Sequence, residues 1–224
     1  MDRALLDQLQ ADRAAHRSVV LATHLDSGRQ HLIYAGGNDP LQTEAEAAIR
    51  SDKPATIETE DGKVFLNIFN PPLRMLIIGA VHIAQFLTPM AEMAGYEVAL
   101  IDPREAWATP DRFPGVRIID EWPDDAMADL KPDHRTAVVT LTHDPKLDDP
   151  ALNAVLGSDA FYIGSLGSKR THAKRVDRLA EAGFTPEQIA RIHAPVGLDI
   201  GAKSPAEIAI SVMAQVTATL RGAA

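Results

Sequence analysis

Residues 164–170 read Gly-Ser-Leu-Gly-Ser-Lys-Arg and follow an apolar run that ends at Ile163. Free backbone N–H groups and the positive end of the helix dipole meet where a helix begins, so this composition favours anion binding. The alternative is that the glycines are needed only for the geometry of the turn and that the Lys and Arg side chains are simply solvated. The segment is not a Walker A loop, which requires Gly-x-x-x-x-Gly-Lys-Ser/Thr. The predicted phosphate ligands are Gly164, Gly167, Ser168, Lys169 and Arg170.

A second polar segment, residues 142–149, carries His143, Asp144 and Lys146 where a short connector would ordinarily carry glycine, serine or asparagine. Loops at strand ends often contact ligands, so we predict that these three side chains do so. The alternative is a solvated loop, with Asp149-Pro150 as the cap and first residue of the next helix.

The run at residues 75–78 enters Gly79 as a buried strand enters the first turn of a Rossmann unit. The dinucleotide pattern Gly-x-Gly-x-x-Gly/Ala is incomplete here, because Val81 replaces the second glycine and its branched side chain crowds a pyrophosphate. Gly79 and His82 are therefore expected to form a wall of the pocket.

Asp102 and Arg104 follow the next apolar run, residues 98–101. An acidic residue at this position typically binds a ribose hydroxyl, and Arg104 would suit a phosphate. A salt bridge between loops explains both charges equally well.

A metal site is a separate hypothesis. His193 lies in a loop of small residues, 192–203, that packing explains as well as ligand contact does. None of the metal-ligand candidates has the spacing of a recognised site. They could bind a metal ion only if the fold brought their side chains together at one sheet edge. These candidates are His82, His143, Asp144, His172 and His193.

From residue 73 onwards, apolar strands alternate with helical segments, which predicts a parallel sheet. Ligands of such sheets bind at the carboxyl ends of the strands, where all the polar segments above are expected. The predicted strands are residues 74–79, 97–101, 116–119, 135–141 and 159–163.

Helix starts are predicted at Asp149-Pro150, Thr185-Pro186 and Ser204-Pro205, where a capping side chain precedes proline. Pro89 falls inside the helix expected after Gly79, which predicts a kink or a restart with Thr88 as the cap. The final helix is expected to bury Ile208, Val212, Val216 and Leu220.

The sequence predicts a small α+β module over residues 1–72 and a Rossmann-type α/β domain over residues 73–224. The prolines at 71 and 72 mark the boundary. The first module is predicted to contain helices at residues 1–16 and 41–50, and strands at 18–23, 29–34, 54–59 and 63–69.

The 224 residues carry a net charge of −9, which argues against nucleic acid as a partner, since phosphate backbones require a basic face. The apolar runs are shorter than the roughly 18 residues of a membrane span, and the first residues lack a signal-peptide core. We therefore expect a cytoplasmic location, and a homodimer from base rates. There is no cysteine, which excludes disulfides and thiolate chemistry on this chain.

Three segments in order, residues 142–152, 161–172 and 191–202, resemble the XdhC/CoxI family, and the similarity extends over about residues 73–221. The family's usual Gly-Ala-Gly-His turn reads Gly79-Ala80-Val81-His82 here, and its cysteine-containing N-terminal segment has no counterpart. The resemblance implies a Rossmann-type domain that binds molybdenum cofactor (molybdopterin or its dinucleotide form), protects it during sulfuration and delivers it to an enzyme.

The leading hypothesis is therefore a non-catalytic accessory protein for a molybdenum hydroxylase of the xanthine dehydrogenase or CO dehydrogenase type. The resemblance implies an apo molybdenum hydroxylase as partner and, less directly, a cysteine desulfurase. An NAD(P)-dependent oxidoreductase that uses the Gly79 turn and Asp102 is the main alternative. An interaction module without a small-molecule ligand is the third.

Overall fold

The computed structural model describes residues 2–223, which divide between Pro71 and Pro72 into two compact units. The first unit contains a four-stranded antiparallel sheet in the order β2-β1-β4-β3. Val20 and Leu66 of the two central strands are fully buried and pack with Ala45 and Ile49 of α2. Its elements are α1 (Arg3–Ala14), β1 (Val19–His24), β2 (Gln30–Tyr34), α2 (Gln42–Ser51), β3 (Ala55–Thr59) and β4 (Gly62–Phe69).

The second unit is built on a six-stranded parallel sheet in the order β10-β9-β8-β5-β6-β7. The prediction of a Rossmann-type α/β domain preceded by a small α+β region is confirmed. The strands are β5 (Leu73–Ile78), β6 (Tyr96–Ile101), β7 (Arg117–Ile119), β8 (Thr136–Thr140), β9 (Tyr162–Ser165) and β10 (Ile192–His193). The helices are α3 (His82–Met93), α4 (Pro123–Leu130), α5 (Pro145–Leu156), α6 (Lys169–Glu181), α7 (Pro186–Ile189) and α8 (Pro205–Arg221).

Both faces of this sheet are covered, which explains why β5 is apolar at every position from Met75 to Ile78 rather than alternating. Met75 and Ile77 belong to the layer that contains α3 and α8, whereas Leu76 and Ile78 pack with α4, α5 and α6. In α8, the predicted Val212 and Val216 are fully buried, whereas Ile208 and Leu220 are only partly buried. None of the helices formed by residues 2–223 is long and apolar enough to cross a membrane.

The capping boxes predicted at Thr185 and Ser204 are confirmed, but the helix start at Asp149-Pro150 and the helix restart capped by Thr88 are wrong, whereas a kink at Pro89 stays a prediction. The helix expected to start at Asp149-Pro150 begins at Pro145, because Asp144 caps it by accepting a 3.0 Å hydrogen bond from Lys146 N.

The helix containing Pro89 continues without a restart, and Thr88 is buried rather than a cap. Fully buried Ala84, Leu87 and Ala91 flank the proline on both sides. Their packing offsets the roughly 3 kcal/mol that an internal proline costs.

Candidate functional site

The carboxyl ends of the strands lie in one row. The register pairs Ile78 with both Ile101 and Thr140, and Thr140 with Ser165. The chain runs from β5 to β6 on one side and later returns to β8 on the other, so the strand order reverses between β5 and β8. In open α/β sheets, this switch point is where ligands bind.

Gly79 and Thr142 fill the base of the switch point. Gly79 has φ +108°, and a Cβ atom at this position would collide with the Thr142 methyl group. Gly79 N also donates to Ile101 O at 2.9 Å. Conformation and close packing therefore explain the glycine, and its predicted contact with a ligand stays a prediction.

Asp102 is fully buried, and both of its carboxylate oxygens are occupied. It accepts hydrogen bonds from Ala80 N (2.7 Å) and Arg104 N (3.0 Å), and from Nε (2.8 Å) and Nη2 (2.7 Å) of Arg104. Burial pushes the pKa of Asp102 upward, but these hydrogen bonds outweigh it and the net pKa lies below its ordinary value. A ribose hydroxyl at Asp102 would have to replace one of these bonds.

Arg104 links the β6 end to the neighbouring loop electrostatically. Its hydrogen bonds to Asp102 raise the pKa of Arg104, and the nearby charges of Asp144 and Asp148 raise it further. The guanidinium carbon also lies 5.2 Å from the centre of the exposed Trp107 ring. The loops after β6 and β8 therefore share one charged neighbourhood at this sheet edge.

Asp148, in the first turns of α5, organises the loop after β8. Its carboxylate accepts from Thr142 Oγ1 at 2.6 Å, from Thr142 N at 3.3 Å and from His143 N at 3.2 Å. The side chain is 1% exposed, and burial raises the pKa of Asp148 against the opposing effects of Thr142 and Arg175. The exposed predicted residues Asp144 and Lys146 lie at the start of the same helix.

His143 is held in a left-handed conformation, with φ +62°. The other described non-glycine residues with positive φ (His16, Asp52 and Lys131) follow helices, where such a residue terminates the helix. His143 instead lies between a strand and a helix, with its side chain exposed at the sheet edge. Backbone strain of this kind is concentrated at binding sites.

Arg175 of α6 is 2% exposed and lies behind the loop after β9. Nη2 donates to Leu166 O at 3.1 Å and forms an ion pair with Asp148 Oδ2 at 3.7 Å. Nε and Nη1 are buried and have no hydrogen-bond partner among the described residues. Burial lowers the pKa of Arg175, although Asp148 and Asp149 oppose the shift.

A cavity of about 270 Å³ lies beside this arginine, between α5 and α6. Of the predicted site residues, His143 and Arg170 line it. Its wall contains four guanidinium or ammonium groups and two carboxylates, so it is cationic on an acidic chain. The lining residues are His143, Pro145, Asp148, Asp149, Arg170, Thr171, Lys174, Arg175 and Arg178.

The glycines of the loop after β9 have local roles. Gly167 has φ +146°, and a Cβ atom there would lie 3.2 Å from Thr171 Cβ and 3.8 Å from Arg175 Nη2. A Cβ atom on buried Gly164 would lie 2.5 Å from Val196 Cγ2 and 2.8 Å from Tyr162 Cε1, so packing explains this glycine.

The start of α6 presents the polar part of that loop. Ser168 is the N-cap, accepting from Thr171 N at 3.1 Å, and Lys169 is exposed beside it. Lys169 is not among the residues that line the cavity between α5 and α6.

The remaining predicted histidines are not gathered at one point. His193 stacks on Tyr162, with ring centres 4.8 Å apart, and burial lowers its pKa. His82 is exposed at the first position of α3, and His172 lines a separate apolar pocket between α6 and α7. Within residues 2–223, no group of three or more His, Asp or Glu side chains is arranged to hold a metal ion.

Sequence reasoning missed Asp148, Lys174, Arg175 and Arg178. Arg170, Lys174 and Arg178 recur every four residues, which places them on one face of α6. That stripe was the available signal for a cationic wall.

A six-stranded parallel sheet that is covered on both faces and reverses its strand order between β5 and β8 defines a Rossmann-type domain. The chain belongs to the XdhC family, because the family model described as the XdhC Rossmann domain matches residues 75–216.

Curated relatives support this placement. The chain is 31% identical over 157 residues to the uncharacterised YqeB of Escherichia coli K12, and 34% identical over 148 residues to the molybdenum cofactor insertion chaperone PaoD of the same organism. It is also 31% identical over 157 residues to a protein of Bacillus subtilis 168 named as a probable xanthine dehydrogenase subunit.

These alignments cover 68%, 66% and 70% of this chain, but only 28%, 40% and 46% of the respective relatives. Among solved structures, one described as a xanthine dehydrogenase from Bacillus halodurans matches with a TM-score of 0.71 and 26% identity. That match covers 98% of this chain and 65% of the other.

Proposed function

We propose that this protein binds molybdenum cofactor as cargo and assists its maturation and insertion into a molybdenum hydroxylase. Family membership and the name of PaoD, a molybdenum cofactor insertion chaperone, support this role. The proposed partner is an apo-enzyme of the xanthine dehydrogenase type, in line with the name of the Bacillus subtilis relative. A cysteine desulfurase partner, a homodimer and a cytoplasmic location stay predictions from the sequence.

The observation that carries the proposal is the strained His143 loop at the switch point, beside a cationic cavity on an acidic chain. The exposed imidazole and the neighbouring Asp144 offer hydrogen-bonding groups for a polar heterocycle such as a pterin. A fixed loop conformation lowers the entropy lost on binding.

The test is the molybdenum content per protein, with the absorption spectrum, of protein purified from molybdenum-replete cells. We expect His143→Asn to lower the molybdenum content several-fold, because asparagine tolerates the left-handed conformation but removes the imidazole. His134→Asn is the matched control, since His134 is exposed just before β8, at the opposite edge of the sheet. The proposal would be refuted if the wild-type protein contained no molybdenum. It would also be refuted if the molybdenum content of His143→Asn equalled that of His134→Asn.

A further inference from the structure

The buried guanidinium of Arg175 is the feature that points to a ligand at this cavity. Nearly all buried polar groups in proteins have hydrogen-bond partners, and a buried charge without them is costly. Arg175 is 2% exposed, yet Nε and Nη1 have no partner among the described residues. Its contacts with Leu166 O and Asp148 use only Nη2.

The carboxylates of the cavity are already engaged. Arg178 holds Asp149 through two contacts, Nε to Oδ2 at 2.5 Å and Nη2 to Oδ1 at 2.9 Å. Asp148 directs its oxygens at the Thr142–His143 backbone and at Arg175. The acidic groups therefore do not neutralise the rest of the cationic wall.

Arg170 and Lys174 complete this wall, because both are exposed and lie one turn apart on α6. Neither has a carboxylate partner among residues 2–223. The cavity volume of about 270 Å³ is several times the ~30 Å³ of one liquid water, so it can admit a small polyatomic anion.

We propose that the cavity between α5 and α6 is a binding site for a phosphate monoester, with Arg175 as its buried anchor and Arg170 and Lys174 as its outer cations. The planar guanidinium suits two oxygens of a phosphate at once. This inference rests on the proposed function for the identity of the ester, since molybdopterin carries a phosphate group. The anion site itself is independent of molybdenum.

The experiment is calorimetric titration of the 224-residue chain with inorganic phosphate and with glycerol phosphate, in chloride buffer of constant ionic strength. We expect saturable binding of one anion per chain in both titrations. Arg175→Met is expected to weaken binding about tenfold or more, because it removes charged hydrogen bonds. Binding of inorganic phosphate without the ester would overturn the assignment to a monoester.

Arg175→Met leaves Asp148 buried without its cation, so the variant is also made together with Asp148→Asn. Lys174→Gln tests the site without touching a buried group, and about a two- to threefold weakening is expected from loss of an exposed charge. Lys131→Asn is the control, because it removes one exposed cation near the opposite sheet edge at a left-handed position that asparagine tolerates. Equal weakening by Lys131→Asn would indicate general electrostatics and refute the site.

The two proposals fail separately. Phosphate binding by protein that never carries molybdenum would leave the anion site intact and remove the proposed function. Normal molybdenum content together with no phosphate binding would remove the anion site alone.

Discussion

Asp102→Asn is expected to destabilise the second unit by about 2–3 kcal/mol. The carboxylate accepts three hydrogen bonds from Arg104 and one from Ala80 N. Asparagine has a single acceptor oxygen, and its NH₂ group would face a donor. Charged hydrogen bonds contribute about 1.5–3 kcal/mol each. The expected loss of unfolding free energy is smaller than the sum of these contributions, because the Arg104 side chain is 36% exposed and can form hydrogen bonds with water instead.

The pH dependence of this loss has a definite sign. The folded-state pKa of Asp102 lies below its unfolded value, so its contribution is present above the unfolded pKa of ~3.9. That contribution is lost as the pH falls through the folded pKa. The difference in unfolding free energy between wild type and Asp102→Asn should therefore be constant from pH 7 to about 5 and shrink below about 4.

The measurement is urea unfolding followed by tryptophan fluorescence. Both tryptophans, Trp107 and Trp122, belong to the second unit, so the signal reports on that unit. Glu105→Gln is the control, because it removes an exposed carboxylate from the same loop, and we expect a change within about 0.5 kcal/mol. A loss below that limit for Asp102→Asn, or one that grows on acidification, would show that the reasoning is wrong.

Three further substitutions test the interior of the second unit. Tyr162→Phe should cost about 1 kcal/mol, because it removes the 2.7 Å hydrogen bond from the buried hydroxyl to Gln215 Oε1. Tyr96→Phe should be neutral or stabilising, because the Tyr96 hydroxyl is buried without a hydrogen-bond partner in the described structure. If urea unfolding showed the same loss of unfolding free energy for both tyrosine substitutions, this reasoning would be contradicted. Gly164→Ala should cost about 1–3 kcal/mol and disturb the His193 ring, since the new methyl group overlaps Val196 and Tyr162. Unchanged stability and an unchanged His193 NMR resonance would argue against that overlap.

The sheet could be predicted from the sequence because the signals for its strands and helices lie within short segments of the chain. The run that ends at Ile78 is apolar at every position from Met75, which is typical of a parallel strand buried on both faces. The capping boxes at Thr185 and Ser204 are likewise complete within four residues. β10 has only two residues, and such a short strand has no periodicity to detect.

The start of α5 was mispredicted because two Asp-Pro pairs, at 144–145 and 149–150, carry the same local signal. The choice between them depends on Asp148, whose carboxylate returns to the loop before the helix. Local propensity contains no information about that contact.

The burial of Arg175 could not be predicted either. Six of the thirteen residues of α6 are Lys, Arg or His, and such a composition indicates a solvated helix. Its burial results from contacts with Asp148 and Leu166, which belong to other parts of the fold.

The hydrogen bonds of Asp148 also have a mechanical consequence. They link residues 142–143 to Asp148 in the first turns of α5, so one side chain couples the loop to the helix that follows. Leu152 and Val155 anchor α5 in the layer beneath the sheet. A bound molecule that shifted the His143 backbone would therefore have to break its hydrogen bond to Asp148 or move the start of α5 with it.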